Sequence, residues 1–284
     1  MNKPKYADAA FFALPGQHVV ALQGRDAVAF AQAQCMNDVA ALGDGQWQWS
    51  GWLTPKGRLV AMFALLRRDA ETLWLLLPDA DAGDFAARLQ KFLFRSKLQI
   101  AVRDDLGVSG AFAAPRTAHG AQAVPTDDGA VELDFSGSAE PRTLRIAPMA
   151  AVDDAGQALR WKQADLAHGL PRLPVEAAEQ WTPQQLSLDR LRAYSVRKGC
   201  YPGQEIVART HFLGQAKRGL VLLEAEAPIA GESDVREGED VVGKMVSISG
   251  AFGLAVLPLD RRFTDLSMDG VALQDRPLKD GLAR

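Results

Sequence analysis

Short apolar runs separated by turn residues fill the first 102 residues and constrain the fold more than any other feature of this chain. Each run is rich in apolar or aromatic side chains and is bounded by Gly, Pro or Asp, a pattern typical of β-strands. The runs are residues 19–22, 46–53, 59–66, 73–77 and 98–102. Two segments with helical spacing, 25–36 and 81–93, lie between them. Because regular strand–helix–strand alternation is missing, the order predicts an α+β fold with an antiparallel or mixed sheet, not a doubly wound one.

The pattern changes after residue 217. Strand-like runs separated by acidic or glycine turns predict a small β-barrel or sandwich there, at residues 219–224, 241–249 and 251–257. We therefore predict one domain over residues 1–217, made of two subdomains with a weak boundary near 105–145, and a C-terminal β-barrel domain over 218–284.

Two further segments carry local predictions. Residues 110–142 have little periodicity, so they form either a loop or a degenerate piece of a second subdomain. A Thr-x-x-Gln capping box at Thr182, with Pro183 in the first turn, predicts a helix over residues 180–194.

The charge balance argues against a non-specific nucleic-acid coat. Among 284 residues, 32 Lys and Arg face 35 Asp and Glu, for a net charge of −3. One segment departs from this balance, since residues 192–218 hold six basic residues and one acid. That segment is either a positively charged site or a solvated connector.

Composition also limits the compartment and the kind of site. The two cysteines, Cys35 and Cys200, are too few and too far apart for a disulfide scaffold, and they fit a reducing cytoplasm. Residues 1–15 lack a leader-like apolar run and the longest apolar stretches are short of about 20 residues, so we expect a cytoplasmic protein away from membranes. Nucleotide-loop and hydrolase motifs are missing, and no metal site is expected because the histidines have no ligand spacing. They are His18, His119, His168 and His211.

The densest motif is residues 197–209, which read Arg-Lys-Gly-Cys-Tyr-Pro-Gly-Gln-Glu-Ile-Val-Ala-Arg. Its Gly and Pro residues require a tight backbone, after which residues 204–212 are predicted to form a short helix. Cys200 precedes that helix beside Arg197 and Lys198, and both the helix N-terminus and the cations favour a thiolate, so we predict a lowered Cys200 pKa. The alternative is a small buried hydrophobic side chain, which is our expectation for Cys35 in its Ala- and Gln-rich helical run.

This motif resembles the K-G-C-Y-x-G-Q-E signature of the YgfZ family, folate-binding proteins related to the aminomethyltransferase of glycine cleavage. Every fixed position is matched, by Lys198, Gly199, Cys200, Tyr201, Gly203, Gln204 and Glu205, and Arg209 fits the continuation. Other matching pieces follow in the expected order: Gly24-Arg25-Asp26 with Gln34, Asn37 and Asp38, the hairpin at 53–58, the segment 96–98, Trp161, and the stretch 167–171. The resemblance covers most of the chain and is weakest at 110–150.

The resemblance implies an α+β, GcvT-like ring of ferredoxin-like or mixed-sheet subdomains around a central folate cavity, with a small C-terminal β-barrel. It implies tetrahydrofolate, or a one-carbon derivative, as cofactor. It also implies a role in assembling or maintaining iron–sulfur enzymes, including a radical enzyme that methylthiolates tRNA. The partners would be folate and iron–sulfur client or assembly proteins, with no direct contact to nucleic acid or membrane.

The same resemblance assigns the site. Cys200 would be the working thiol, with Lys198 and Arg209 beside it. The folate contacts would be Trp161, Lys198, Tyr201, Gln204, Glu205, Asn37 and Asp38. A second family tryptophan near the N-terminus has no counterpart, since no aromatic residue stands at Gln17 or His18.

Alternatives remain open for residues and for function. Trp161 is either a stacking platform for a flat ring or a core anchor, and Asn37 and Asp38 are either polar pterin contacts or an exposed loop pair. The chain is either an accessory factor, a true aminomethyltransferase or a passive folate-binding module. The aminomethyltransferase resembles K-G-D at this site, and a thiol in place of that carboxylate is a softer nucleophile and metal ligand, which favours the accessory factor.

Overall fold

The computed structural model describes residues 10–149, 151–214, 216–230 and 234–284. Up to residue 149 the elements are β1 (Phe12–Ala13), β2 (Gln17–Gln23), α1 (Ala27–Gln34), β3 (Gln46–Leu53), β4 (Leu59–Arg67), β5 (Thr72–Pro78), α2 (Ala82–Gln90), β6 (Gln99–Val102), β7 (Gly107–Ala111), β8 (Ala123–Pro125), β9 (Val131–Asp134) and β10 (Thr143–Ala147). After residue 150 they are α3 (Ala155–Ala167), a 3-10 turn (Val175–Ala177), α4 (Gln204–Leu213), β11 (Arg218–Glu224), β12 (Asp234–Glu237), β13 (Asp240–Ser249), β14 (Phe252–Pro258), β15 (Leu266–Met268) and β16 (Val271–Arg276).

Within these ranges, no helix combines the length and the apolar composition that crossing a bilayer requires. The expectation for residues 1–15 falls mostly on residues 1–9, which lie outside the described residues.

The predicted N-terminal strands form one antiparallel sheet in the order β3–β4–β5–β2–β6. Apolar side chains line both faces of its central strands, so both faces must be covered. Helices α1 and α2 cover one face, where Phe30, Phe85 and Leu89 join a cluster that includes Phe63 of β4. The five strands predicted in this region are confirmed, with bounds that differ by at most two residues.

A second antiparallel sheet, in the order β1–β7–β10–β9–β8, takes two of its strands, β8 and β9, from the region of low periodicity. Residues 110–142 thus contribute short strands to a second sheet, with loops between them, and the division of residues 1–217 into two subdomains stays a prediction. Helix α3 follows, with the Asp154 carboxylate accepting a hydrogen bond from the Gln157 backbone N–H at 3.0 Å as its N-cap. This helix places Trp161 against Gly110 of β7.

The C-terminal strands form a closed six-stranded barrel in the order β11–β14–β13–β12–β15–β16. Its interior holds a separate apolar cluster that includes Leu223, Val235, Ala255 and Leu257. The barrel prediction is therefore confirmed, and β12, β15 and β16 are strands that the sequence pattern did not indicate.

One apolar core crosses the boundaries between the two sheets, α3 and the barrel. It joins Trp49 of the first sheet, Leu144 of the second, Trp161 of α3 and both Leu220 and Val256 of the barrel. Because these side chains are buried against one another, the two sheets with α3 and the barrel share one core. The open space between the sheets and the barrel lies at the edge of that core.

The predicted helix over residues 180–194 is wrong. The capping box is present, since the Gln185 backbone N–H donates to the Thr182 hydroxyl at 3.3 Å and the Thr182 N–H donates to Gln185 Oε1 at 3.0 Å. The chain then leaves the helical path at Ser187, whose φ is +47°, and continues as turns to Arg192. The Ser187 hydroxyl accepts a hydrogen bond from the Leu220 N–H at 3.0 Å, so docking onto the barrel takes the place of a longer helix.

The last residues leave the barrel and pack on the first two units. Leu282 is buried in the shared core, and its carbonyl accepts a hydrogen bond from the Trp49 indole N–H at 2.7 Å. Arg284 donates to the carbonyls of Asp134 and Ser136 at 2.6 and 3.0 Å. The predicted barrel region therefore ends in a segment that ties the barrel back to the two sheets.

Candidate functional site

Cys200 is an exposed thiol in a loop whose neighbouring side chains are buried. Lys198 and Tyr201 are each only 6% exposed, whereas Cys200 is exposed. Helix α4 begins at Gln204, so the predicted helix is confirmed and the thiol lies just before it. The loop is thus anchored on both sides of Cys200, and only the thiol and its polar neighbours face outward.

Lys198 anchors the first side by capping the C-terminus of α1. Its ammonium donates hydrogen bonds to the carbonyls of Gln32, Cys35 at 2.6 Å and Asn37 at 3.0 Å. A helix ends with carbonyls that have no partner within the helix, and a buried cation there satisfies them. Burial lowers the pKa of Lys198 to about 8. In this structure its three protons are bonded to backbone carbonyls, and the predicted roles of Lys198 toward folate and Cys200 stay predictions.

Tyr201 and Gly203 anchor the second side. The Tyr201 hydroxyl donates to the Ser195 carbonyl at 3.2 Å, and burial raises its pKa to about 12, while its contact with folate stays a prediction. Gly203 has a φ of +77°, and a Cβ there would lie 2.7 Å from the Cα of Gly57. Only glycine suits this backbone approach, which joins the K-G-C-Y motif to the hairpin at 53–58.

Asn37 belongs to the same internal network. Its amide group donates to the carbonyls of Trp49 at 2.8 Å and Arg192 at 2.7 Å, and its side-chain oxygen accepts from the Asp38 N–H at 2.9 Å. The interpretation of Asn37 as part of an exposed loop pair is wrong, because the residue is buried, and its contact with a pterin stays a prediction. Asp38 is half-buried and accepts from Gln32 at 3.1 Å, so its role toward folate stays a prediction.

Trp161 is a core anchor in this structure. Its indole has 0% exposure and packs against Phe12, Phe112 and Phe135, with the Arg142 guanidinium 4.7 Å from the ring centroid. An indole with no free face cannot stack on a pterin or aminobenzoyl ring. The core-anchor interpretation describes this conformation, and a contact of Trp161 with folate stays a prediction.

The groups that remain exposed around Cys200 are mostly cationic. Arg197, Arg209 and Lys56 of the neighbouring hairpin turn are exposed, as is Glu205 in the first turn of α4, while Gln204 is half-buried. The prediction of a lowered Cys200 pKa stays for thiol titration to test. The core interpretation of Cys35 is confirmed, because the residue is buried and its pKa is raised to about 12 by loss of solvent.

A cavity of about 650 Å³ lies between the first sheet, the segment after α3 and barrel strand β13. Its polar lining includes Lys162, Arg172, Glu176, Gln180 and Ser249. The hydroxyl oxygen of Ser249 is buried and has no hydrogen-bond partner in the part of the chain that the structure describes, and Glu176 is exposed. The cavity therefore offers cationic, anionic and amide groups to a ligand.

A chain of buried ion pairs supports one wall of this cavity. Asp165 pairs with Arg142 at 2.7 Å and with Arg172 at 3.1 Å. Arg172 also pairs with Asp79 at 2.6 Å, and Lys162 lies 3.4 Å from the same carboxylate. Both cations lower the Asp79 pKa, against the effect of burial. Charges that face each other this closely keep the Arg172 side chain in a fixed position.

Sequence reasoning missed this cluster. The available signal was Arg172, a lone charge in the apolar stretch Leu-Pro-Arg-Leu-Pro, which is unusual unless the charge is paired. Its partner Asp79 follows β5 at a φ of +56°, and 93 positions separate the two residues. A single sequence does not indicate such a distant pairing.

The thiol loop and the cavity are connected through the hairpin. Gly57 contacts Gly203, and the next residue, Arg58, donates to the Gln180 carbonyl at 2.7 Å. Gln180 lines the cavity. Among the described residues, no group of three or more His, Cys, Asp or Glu side chains is arranged to hold a metal ion.

Two antiparallel sheets that share a core with a closed barrel define a protein of the aminomethyltransferase type of fold. The solved glycine cleavage system aminomethyltransferase T from Bartonella henselae superimposes with a TM-score of 0.73 over 96% of this chain and 86% of that protein, at 16% identity, a likeness of fold alone. Residues 217–277 match the family model of the CAF17 C-terminal beta-barrel domain.

Similar proteins that carry a name indicate which family within this class of fold the chain belongs to. The tRNA-modifying protein YgfZ of Klebsiella pneumoniae (strain 342) is 32% identical over 247 residues, which cover 79% of this chain and 73% of that protein. The protein of the same name from Vibrio vulnificus (strain YJ016) is 31% identical over 274 residues, covering 85% and 82%. This chain belongs to the YgfZ family.

Proposed function

We propose that this chain is a tetrahydrofolate-binding accessory protein that assembles or maintains iron–sulfur enzymes, including those that modify tRNA, with Cys200 as its working thiol. The observation that carries the proposal is the exposure of Cys200 between two buried anchors. A structural cysteine would be buried like Cys35, whereas a thiol that must reach a client has to be exposed. The names of the curated relatives support the link to tRNA modification.

Cys200 suits this work chemically. A thiolate is a soft nucleophile and a soft metal ligand, so it can attack an electrophilic one-carbon adduct, hold iron transiently or exchange with a client disulfide. Exposed Arg197 and Arg209 supply positive charge near it. The buried anchors keep the loop in one conformation, so that the thiol is presented without reorganisation of the backbone.

The cavity beside Arg172 is the space that we assign to the folate. Its volume of about 650 Å³ lies within the range of small-molecule sites. Lys162 and Arg172 suit the glutamate carboxylates of a folate, and the Glu176 carboxylate suits the N–H donors at the pterin edge. Asp38, Gln204 and Glu205 stay candidates for contacts on the thiol side.

Isothermal titration with tetrahydrofolate and its methylene and formyl derivatives tests the folate part. We expect binding by the wild type, a loss of at least about tenfold in affinity for Lys162→Glu, and no change for the control Lys244→Glu on the barrel, since a reversed charge repels the carboxylates. Trp161→Ala should reduce stability while the folded fraction keeps its folate affinity. Absence of binding to all three folates would remove the folate part of the proposal.

The aminomethyltransferase alternative makes a different prediction. It requires transfer of a methylene group from a lipoyl-bound amine to tetrahydrofolate, with a carboxylate where this chain has Cys200. We expect no such transfer by the wild type in the presence of the aminated lipoyl protein and tetrahydrofolate. Turnover at the rate of an authentic aminomethyltransferase, unaffected by Cys200→Ser, would replace our proposal with this alternative.

A further inference from the structure

The turn between α2 and β6, residues 91–97, places cations around an exposed aromatic ring. Phe94 is 92% exposed, and its backbone has a φ of +42°, a conformation that bulky side chains rarely adopt. Lys91, Arg95 and Lys97 are exposed and make no ion pair with another described residue. The turn therefore exposes an aromatic ring to water at a cost in backbone strain. The three cations of the turn have no ion-pair partner among the described residues.

Two backbone hydrogen bonds and one aromatic contact hold the turn in place. The Lys97 backbone N–H donates to the Asp26 carboxylate at 2.7 Å, and the Ser96 N–H donates to the Leu93 carbonyl at 2.7 Å. Phe92 packs its ring edge-on against Trp52, with centroids 5.7 Å apart. The Phe92 ring therefore has an aromatic packing partner, whereas the Phe94 ring extends into solvent from a backbone that is held in place.

We propose that this turn binds a single-stranded or loop segment of RNA, with a base stacked on Phe94 and phosphates paired with Lys91, Arg95 and Lys97. One free ring among cations matches stacking of one base beside its backbone, the usual arrangement for single-stranded nucleic acid. A membrane surface needs more apolar area than one ring supplies. An acidic peptide would satisfy the cations without explaining the strained, exposed ring.

The location connects the turn to the thiol. Asp26, which holds the turn, precedes the first residue of α1, and Lys198 caps the other end of that helix. Eight residues of helix span about 12 Å. RNA bound at the turn would therefore lie at one end of α1, and the thiol loop is anchored at the other end of the same helix. The net charge of −3 argues against a non-specific nucleic-acid coat, but a total does not register this local grouping.

Fluorescence anisotropy with a labelled, unmodified tRNA anticodon stem-loop tests the proposal, which rests on the proposed function only for the choice of tRNA as probe. We expect Phe94→Ala to weaken binding about 5- to 150-fold, the range for one stacked base. Joint reversal of Lys91, Arg95 and Lys97 to Glu should reduce the slope of log affinity against log salt by about two. The control Arg262→Glu, an exposed cation on the barrel, should leave binding unchanged.

Two further measurements distinguish RNA binding by this turn from the folate proposal and from loss of stability. Phe94→Asn tolerates the positive φ, so its thermal midpoint should be no lower than that of the wild type while RNA binding is lost. Folate affinity should be unchanged in every turn variant, so that failure here and failure of the folate proposal are distinguishable. Equal RNA affinity in wild type and turn variants would overturn the proposal. So would wild-type binding to anionic phosphatidylserine vesicles or polyglutamate, but not to RNA, that depends on the same residues.

Discussion

At the scale of single residues, Cys35 and Cys200 have the same side chain and opposite surroundings. Cys35 follows α1 inside an apolar cluster, whereas Cys200 is exposed two residues after the Lys198 anchor. Their positions in the sequence motifs predicted this difference. What a single sequence could not indicate is that Lys198 bonds to carbonyls more than 160 positions earlier, so its charge supports the fold of the thiol loop.

His168 provides a residue-scale prediction on pH. It is buried, neither ring nitrogen has a hydrogen-bond partner among the described residues, and burial together with nearby Arg142 lowers its pKa from 6.5 to about 4. The unfolded chain therefore binds a proton that the folded chain does not, and stability is lost as the pH falls from about 6.5 towards 4. We expect a loss of about 2 kcal/mol from this group between pH 7 and pH 5.

Urea unfolding at pH 7, 6 and 5 measures this effect. His168→Asn should unfold with a smaller dependence on pH than the wild type, whatever its absolute stability. The matched control is His119→Gln, because the His119 side chain is 97% exposed. An unchanged pH dependence in His168→Asn would contradict the assignment.

At the scale of elements, strands were easier to predict than the segment after α3. Apolar runs bounded by turn residues identified the first sheet almost residue by residue, because its central strands β4 and β5 are buried on both faces. The capping box at Thr182 correctly predicted a local start, but the tertiary contact of Ser187 with the barrel ends the helical path. Local signals predict how an element begins, and packing against distant strands decides how far it runs.

Lys198→Met tests the assignment of Lys198 to the C-terminus of α1. Removing the ammonium leaves buried carbonyls without a donor, and we expect a loss of about 1–3 kcal/mol of unfolding free energy. Folate affinity of the folded protein should not change. Chemical denaturation and calorimetric titration measure the two quantities, with Arg197→Met as the exposed neighbouring control. A weakened folate affinity with unchanged stability would indicate that Lys198 binds folate and does not stabilise the end of α1.

At the scale of the whole molecule, one core joins the two sheets, α3 and the barrel, and the C-terminal segment crosses back over it. The family resemblance of the K-G-C-Y motif predicted this class of fold. The strand-like runs separated by acidic or glycine turns after residue 217 predicted the barrel. The return of Leu282 to the first sheet was not predictable, because its short flanking segment carries no periodic signal.

Leu282→Ala tests whether the units are stabilised together. The side chain is 1% exposed in the shared core, so its truncation should cost about 2–5 kcal/mol. We expect one cooperative unfolding transition whose midpoint falls as a whole, monitored both by tryptophan fluorescence and by far-ultraviolet circular dichroism. Leu259→Ala, an exposed site on the barrel, is the control. A separate, unshifted barrel transition would contradict a common core.

The central claim, that Cys200 is a working thiol for iron–sulfur clients, is tested most directly in cells whose only copy of this protein is wild type, Cys200→Ser or Cys35→Ala. The measurement is the fraction of methylthiolated tRNA, by mass spectrometry of digested tRNA at matched protein abundance. We predict that Cys200→Ser lowers this fraction to that of cells lacking the protein while folate binding by the purified variant is retained, and that Cys35→Ala keeps it. A wild-type fraction in the Cys200→Ser cells would contradict the account.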